Sequence, residues 1–155
     1  MYINVAELLK ESIGSSRCYQ INELIGKEGI NSIKGEVTLI HTNRGILAKG
    51  TMAASVTDIC SRCLTSVDYP VSFCLEDEFF PSVNISNGAP LPEIDSPTID
   101  RNHILDLSEA MRQYTLLAMP VKPLCRSDCA GICPSCGYNL NQGSCQCSSR
   151  VYDRR

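Results

Sequence analysis

Ten cysteines stand in this chain of 155 residues, and eight of them fall into four close pairs. The pairs are Cys60-x2-Cys63, Cys125-x3-Cys129, Cys133-x2-Cys136 and Cys145-x-Cys147. Thiolates two to four residues apart on a tight turn can meet one metal ion, and a tetrahedral zinc takes four of them. Eight cysteines are therefore enough for two sites. The N-terminal MYINVAELLKES lacks the basic and long apolar regions of a signal peptide. No apolar run approaches the ~20 residues that span a bilayer. A cytoplasmic location without membrane attachment is expected, and in a reducing compartment cysteines at ligand spacing hold metal rather than form a disulfide framework.

The sharpest local signal is Cys133-Pro134-Ser135-Cys136-Gly137. Proline fixes the turn, and glycine permits the positive φ that lets backbone N–H groups point back at sulfur. The economical grouping places Cys133, Cys136, Cys145 and Cys147 in one tail site. Cys60, Cys63, Cys125 and Cys129 would then form another that staples the root of the tail to a sheet. A rival grouping joins Cys125, Cys129, Cys133 and Cys136 and leaves Cys60 and Cys63 as free thiols. Two zinc ions per chain are expected. An iron–sulfur cluster and a redox thiol pair are the alternatives, but ferredoxin spacings and the βαβ context of a redox CxxC are missing. Four thiolates around one zinc leave a formal −2 that wants nearby donors, and Arg62 and Arg126 stand close in sequence. Cys18 and Cys74 have no partner at ligand spacing and read as small buried core residues.

The rest of the chain reads as an α+β fold: an antiparallel β-sheet with one or two packed helices and a Cys-rich zinc-binding tail. Asn4 and Glu7 have capping-box spacing and open a short helix through Val5, Leu8 and Leu9. A brief strand follows over 17–21, with a turn at Gly26–Gly29. Ile46, Ala48, Gly50, Met52, Ala54 and Val56 alternate with polar residues, the mark of a half-buried strand. Asn43-Arg44-Gly45 precedes it as a hairpin turn, and the alternation resumes through Val67, Tyr69, Val71, Phe73 and Leu75. Pro70 in that run predicts an edge strand or a bulge. A CxxC therefore sits at the tip of a hairpin. Glu76-Asp77-Glu78 reads as a solvated acidic turn, and residues 81–100 as a Pro-rich loop. A helix over about 106–118 carries Leu107, Met111, Tyr114, Leu117 and Ala118 at helical spacing and ends at Pro120. The expected division is a body of 1–124 and a Cys-rich tail of 125–155.

No catalytic constellation is present. All-cysteine zinc sites are closed, whereas catalytic zinc keeps a position for water. His41 and His103 are isolated, and there is no phosphate loop, Ser/His/Asp order or HExxH motif. Neither an enzyme nor a small-molecule substrate is expected. Charge is uneven: residues 1–124 carry 10 Lys/Arg against 15 Asp/Glu, and residues 125–155 carry 4 against 2. An acidic body weighs against broad, non-specific nucleic-acid binding.

The layout INVAELLKESIGSSRCY, then CSRCL, an acidic Pro-rich stretch, a helix leading into MPVKPLC and finally CRSDCAGICPSCGYNLNQGSCQC resembles the bacterial YceD family. These are also called large ribosomal RNA subunit accumulation proteins. Carried over by position, the motif residues are Cys60, Arg62, Cys63, Cys125, Cys129, Cys133, Cys136, Asn139, Cys145 and Cys147. The resemblance implies a part in accumulation of large-subunit (23S) ribosomal RNA, hence ribosome biogenesis, without catalysis. A binding module for precursor RNA or an assembling large-subunit particle would use Arg126, Arg150, Arg154 and Arg155 as phosphate contacts. The alternative is an adaptor whose acidic body, through Glu76, Asp77 and Glu78, binds a basic ribosomal protein or a nuclease.

Overall fold

A computed structural model describes residues 1–84, 87–91 and 97–147. Seven strands form one sheet in the order β1-β7-β6-β5-β4-β3-β2, curled into a half-barrel. They are β1 (Tyr2–Asn4), β2 (Ser16–Lys27), β3 (Ile30–His41), β4 (Ile46–Ile59), β5 (Ser66–Pro81), β6 (Thr98–Ile99) and β7 (Ile104–Asp106). Among the described residues a single α-helix, α1 (Ser108–Ala118), follows.

By internal packing the described residues form two compact units, one of residues 1–56 and 70–119 and another of 57–69 with 120–147. The tip of the β4–β5 hairpin thus groups with the tail, a division that the linear boundary at 124/125 does not contain.

Alternation along β4 is carried into the fold as expected. Ile46, Ala48, Met52, Ala54 and Val56 are buried while Lys49, Thr51, Ala53 and Ser55 are exposed. Val37 and Leu39 of β3 and Val71, Phe73, Leu75 and Phe79 of β5 add to the same core. The β2–β3 turn places Glu28 at φ 54 and Gly29 at φ 77, the paired positive values of a type I′ hairpin turn. Thr42 N–H donates to the Gly45 carbonyl (2.9 Å) and closes the next hairpin. On α1, Ala110, Met111 and Thr115 are buried, and Tyr114 stacks on Phe73 with ring centroids 6.2 Å apart. The Thr115 hydroxyl is satisfied by donating to the Met111 carbonyl (2.7 Å).

Several expectations are corrected. The N-terminus is not a helix through Val5: Tyr2–Asn4 pairs with Ile104–Asp106 as a strand. The capping signal survives only locally, where Asn4 Oδ1 accepts from Ala6 N–H (2.9 Å) ahead of a single 3-10 turn at Leu8–Lys10. The brief strand at 17–21 is a twelve-residue strand, β2. The sheet is not wholly antiparallel, because β5 and β6 run parallel through Phe80↔Thr98 and Pro81↔Ile99. Pro70 lies in β5 well before that pairing, so its missing N–H costs no bond to β6. Glu76-Asp77-Glu78 is strand, not turn. Leu117, placed in the apolar stripe, is 82 % exposed. Cys18 and Cys74 are exposed rather than core, because they fall on the outward half of the alternation in β2 and β5. The expected loop over 81–100 lies partly outside the described residues; its described part holds a Val83↔Pro90 bridge and β6. Among the described residues no helix is long and apolar enough to cross a membrane.

Candidate metal centres

Cys60-Ser61-Arg62-Cys63 turns the β4–β5 hairpin. Cys60 N–H donates to the Thr65 carbonyl (2.9 Å), and Leu64 N–H returns to the Cys60 carbonyl (3.0 Å). Leu64 then stands at φ 60, in the left-handed region, and turns the chain toward Thr65. The result is a knuckle whose backbone N–H groups face sulfur. The Cys63 N–H, against the opposing effect of burial and with help from those of Arg62 and Cys125, brings the Cys60 thiol down to about 6. The Thr65 hydroxyl, 2.9 Å from Cys63 Sγ, is the first cause holding that thiol low as well.

Cys125 and Cys129 complete the quartet. Ser61 N–H donates to the Pro123 carbonyl (2.8 Å), and Cys129 N–H donates to the Arg126 carbonyl (3.1 Å). Sulfur separations are 3.8 Å for Cys60–Cys129 and 3.5 Å for Cys63–Cys125, and all four Sγ atoms lie within 4.8 Å of one another. A disulfide would close to about 2.05 Å. Thiolates at the corners of a tetrahedron around one zinc stand about 3.8 Å apart, given a Zn–S bond near 2.3 Å. Hydrogen bonding with Cys63, then burial, pushes the Cys125 thiol up to about 12.

The second quartet repeats this local design. Cys133 N–H donates to the Tyr138 carbonyl (2.8 Å), and Gly137 N–H donates to the Cys133 carbonyl (2.9 Å) with Gly137 at φ 72. Backbone N–H groups of Ser135 and then Cys136 bring the Cys133 thiol down to about 6. Hydrogen bonding with Cys136, followed by burial, pushes Cys147 up to about 12. Cys133, Cys136, Cys145 and Cys147 likewise gather within 4.8 Å. The rival quartet of Cys125, Cys129, Cys133 and Cys136 is not the one gathered. The centres differ in exposure: Cys60, Cys63 and Cys129 are buried, packed by Leu124 and Ile132, and Cys125 alone of that quartet reaches the surface, whereas in the second Cys133 is buried and Cys136 and Cys147 are exposed.

Leucine at position 64 does what glycine does at 137, and the difference is measurable. A branched residue in the left-handed region costs roughly 1–2 kcal/mol. Gly137→Leu should therefore destabilise the metal-loaded protein by about 1–2 kcal/mol in denaturant unfolding. Leu64→Gly should cause no loss, because relief of strain offsets the extra entropy of glycine in the unfolded chain.

Neither arginine marked as a donor reaches sulfur. Arg62 Nη1 donates to the Cys129 carbonyl (3.0 Å), and Arg126 donates to Asn141 Oδ1 (2.8 Å) and pairs with Asp128 (3.3 Å). Arg150, Arg154 and Arg155 lie outside the described residues. The side chains at the sulfurs are Thr65 and Asn141, whose Nδ2 donates to Cys129 Sγ (3.3 Å). Sequence reading missed both. Thr65, two residues past a ligand, was the detectable one; Asn141 is 12 residues from its sulfur and carries no local signal. Asn139 Oδ1 accepts from the backbone N–H (3.0 Å) and Nδ2 (2.8 Å) of Asn141, which places this motif residue behind the donor.

The family model described as large ribosomal RNA subunit accumulation protein YceD matches residues 48–155, from β4 through every clustered cysteine. Uncharacterized proteins of Mycobacterium bovis and Mycobacterium tuberculosis are each 32 % identical over 99 residues, covering 63 % of this chain and 46 % of theirs. An uncharacterized protein of Mycobacterium leprae is 27 % identical over 118 residues, 76 % of this chain and 54 % of its own length. A protein of Arabidopsis thaliana named large ribosomal RNA subunit accumulation protein YCED homolog 1, chloroplastic, is 34 % identical over 50 residues, 32 % of this chain and 16 % of its own. The chain thus spans about half the length of the mycobacterial relatives it matches. No solved structure matches it. With the match covering more than half of the chain and both quartets inside it, the chain belongs to the YceD family.

Proposed function

We propose that this chain is a non-enzymatic zinc-binding protein of ribosome biogenesis. It supports accumulation of large-subunit (23S) ribosomal RNA by contacting precursor RNA or an assembling large-subunit particle in the cytoplasm. The observation that carries the reading is the coincidence of the family match with two cysteine quartets whose sulfurs each gather within 4.8 Å. Cys60, Cys63, Cys125 and Cys129 would hold one ion, and Cys133, Cys136, Cys145 and Cys147 the other. Four thiolates fit zinc by softness and by geometry, and a four-thiolate site leaves no position for a reacting water. Bound zinc supplies folding energy to a unit whose described buried cluster is little more than Cys60, Cys63 and Cys129 with Leu124 and Ile132.

RNA contact falls to Arg126 and to Arg150, Arg154 and Arg155 in the tail. The adaptor reading has less support, because its acidic run is engaged within the sheet. Glu76 pairs with Lys49 (3.3 Å), Glu78 pairs with Arg44 and accepts from Thr42 (2.8 Å), and burial holds the Asp77 carboxyl above the ordinary carboxylate range. In cells lacking the endogenous protein, the chain should co-sediment with large-subunit precursors on ribosome gradients and restore large-subunit RNA. Arg154→Ala with Arg155→Ala should reduce RNA crosslinking. Unchanged crosslinking together with absence from the gradient overturns the reading.

A further inference from the structure

The eight residues between Cys136 and Cys145 belong in sequence to the exposed centre, yet Asn141 in that loop turns to the buried one. Its amide is fixed at both ends. Oδ1 accepts from Ala130 N–H (2.8 Å) and Arg126 Nη2 (2.8 Å). A backbone N–H can only donate, so the oxygen must face Ala130 and the NH2 must face the other way. There it donates to Cys129 Sγ (3.3 Å) and Asn139 Oδ1 (2.8 Å). The loop is docked by Leu140 N–H on the Gly131 carbonyl (2.9 Å) and by the Ile132↔Asn139 bridge. Apart from the Thr65 hydroxyl, this amide is the side-chain donor given to a sulfur of the buried quartet among the described residues.

We infer that Asn141 is a positioning residue that couples the two metal centres, so that an ion at Cys133, Cys136, Cys145 and Cys147 tightens binding at Cys60, Cys63, Cys125 and Cys129. The inference rests on the zinc reading above. Metal at the exposed centre joins Cys136 to Cys145 and Cys147 and closes the loop between them. The closed loop presents the Asn141 amide to Cys129, and an N–H···S bond to a thiolate removes part of the charge that four thiolates concentrate on one ion. Coupling of this kind is reciprocal, so the buried ion tightens the exposed one by the same factor. Two ligands of the outer centre, Cys136 and Cys147, are exposed beside a buried Cys133, whereas at the inner centre only Cys125 reaches the surface, so the outer centre exchanges first. The amide passes its occupancy inward.

The test uses the full chain, titrated with Zn2+ and followed by native mass spectrometry, with Co2+ as a spectroscopic substitute. Wild type should pass from metal-free to two-metal protein with little one-metal species. Cys145→Ser with Cys147→Ser should weaken the remaining centre about 10-fold or more, the usual effect of losing a group that supports a ligand. Asn141→Asp keeps an acceptor for Ala130 and Arg126 but removes the donor; it should weaken the buried centre similarly, accumulate one-metal protein and shift the thiolate-to-cobalt charge-transfer band. Combining the changes should be no worse than the weaker variant alone. Two ions bound independently in wild type, or additive losses in the combination, overturn the coupling while leaving the zinc reading standing. A wild-type chain that binds no zinc overturns both.

Discussion

Cys60→Ser should cost the unit of residues 57–69 and the stretch from Pro120 its fold while the core of the sheet persists. Cys60 is fully buried, and the backbone N–H groups of Cys63, Arg62 and Cys125 converge on its sulfur. A hydroxyl in that place binds zinc poorly and leaves those donors facing a weak acceptor. Structural zinc contributes roughly 10–16 kcal/mol of apparent binding energy to small domains, far more than the overall stability of most folds. The few apolar residues around this quartet cannot replace it. Hydrogen exchange should show loss of protection over 120–147, with the strands of 1–56 still protected. Elemental analysis should fall from two zinc per chain to one or fewer. Cys74→Ser is the control: that thiol is exposed, and a change there should stay within about 0.5 kcal/mol. Full protection and two zinc ions in Cys60→Ser would show that the quartet is not a structural centre.

Gly50→Ala should lower the stability of the sheet by about 3 kcal/mol or more. A Cβ at Gly50 would lie 2.1 Å from the Glu36 carbonyl oxygen and 2.9 Å from Val37 Cα. The reciprocal clash exists at Gly35, where a Cβ would lie 2.3 Å from the Thr51 oxygen and 2.9 Å from Met52 Cα. Gly35 pairs with Met52 and Gly50 with Val37, so the two glycines sit in adjacent strands and both obstacles are backbone. Backbone cannot swing aside as a side chain does. Missing side chains at these positions let the backbones of the two strands approach closely, a familiar use of glycine in sheets. For a protein of this size the loss corresponds to a fall in Tm of about 6–12 °C. Ala53→Ser, on the exposed face of β4, should change stability by less than about 0.5 kcal/mol. A Gly50→Ala protein that unfolds with the wild type would mean the strands can separate without penalty.

Where a physical signal is local, reading the chain in order recovers it. The alternation of β4 is such a case, since successive side chains of a strand point to opposite faces whatever surrounds them. The Cys-x2-Cys knuckles are another, because two residues of backbone decide whether N–H groups can face sulfur. A helix near 106–118 also belongs here: Asp106 Oδ1 accepts from Ser108 N–H (2.9 Å) at its start, and Pro120 follows its end. The N-terminus shows the limit. Asn4 does organise a turn, but pairing of Tyr2–Asn4 with Ile104–Asp106 claims the residues before it, across about 100 positions of sequence. Long-range pairing overrode a sound local preference.

By itself the sequence determined which residues can hold metal and which strand faces are apolar, because ligand chemistry and the two-residue period are properties of side chains. Only the tertiary structure decided the rest. It brought the expected quartets together rather than the rival one, since Cys60 and Cys129 meet across 69 positions. It set Cys18 and Cys74 outside, joined β6 to β5 in parallel and brought Asn141 to a sulfur of the other centre. Each of these depends on which distant segments become neighbours. That choice is made by the sum of many buried contacts, and no short stretch of the chain contains it.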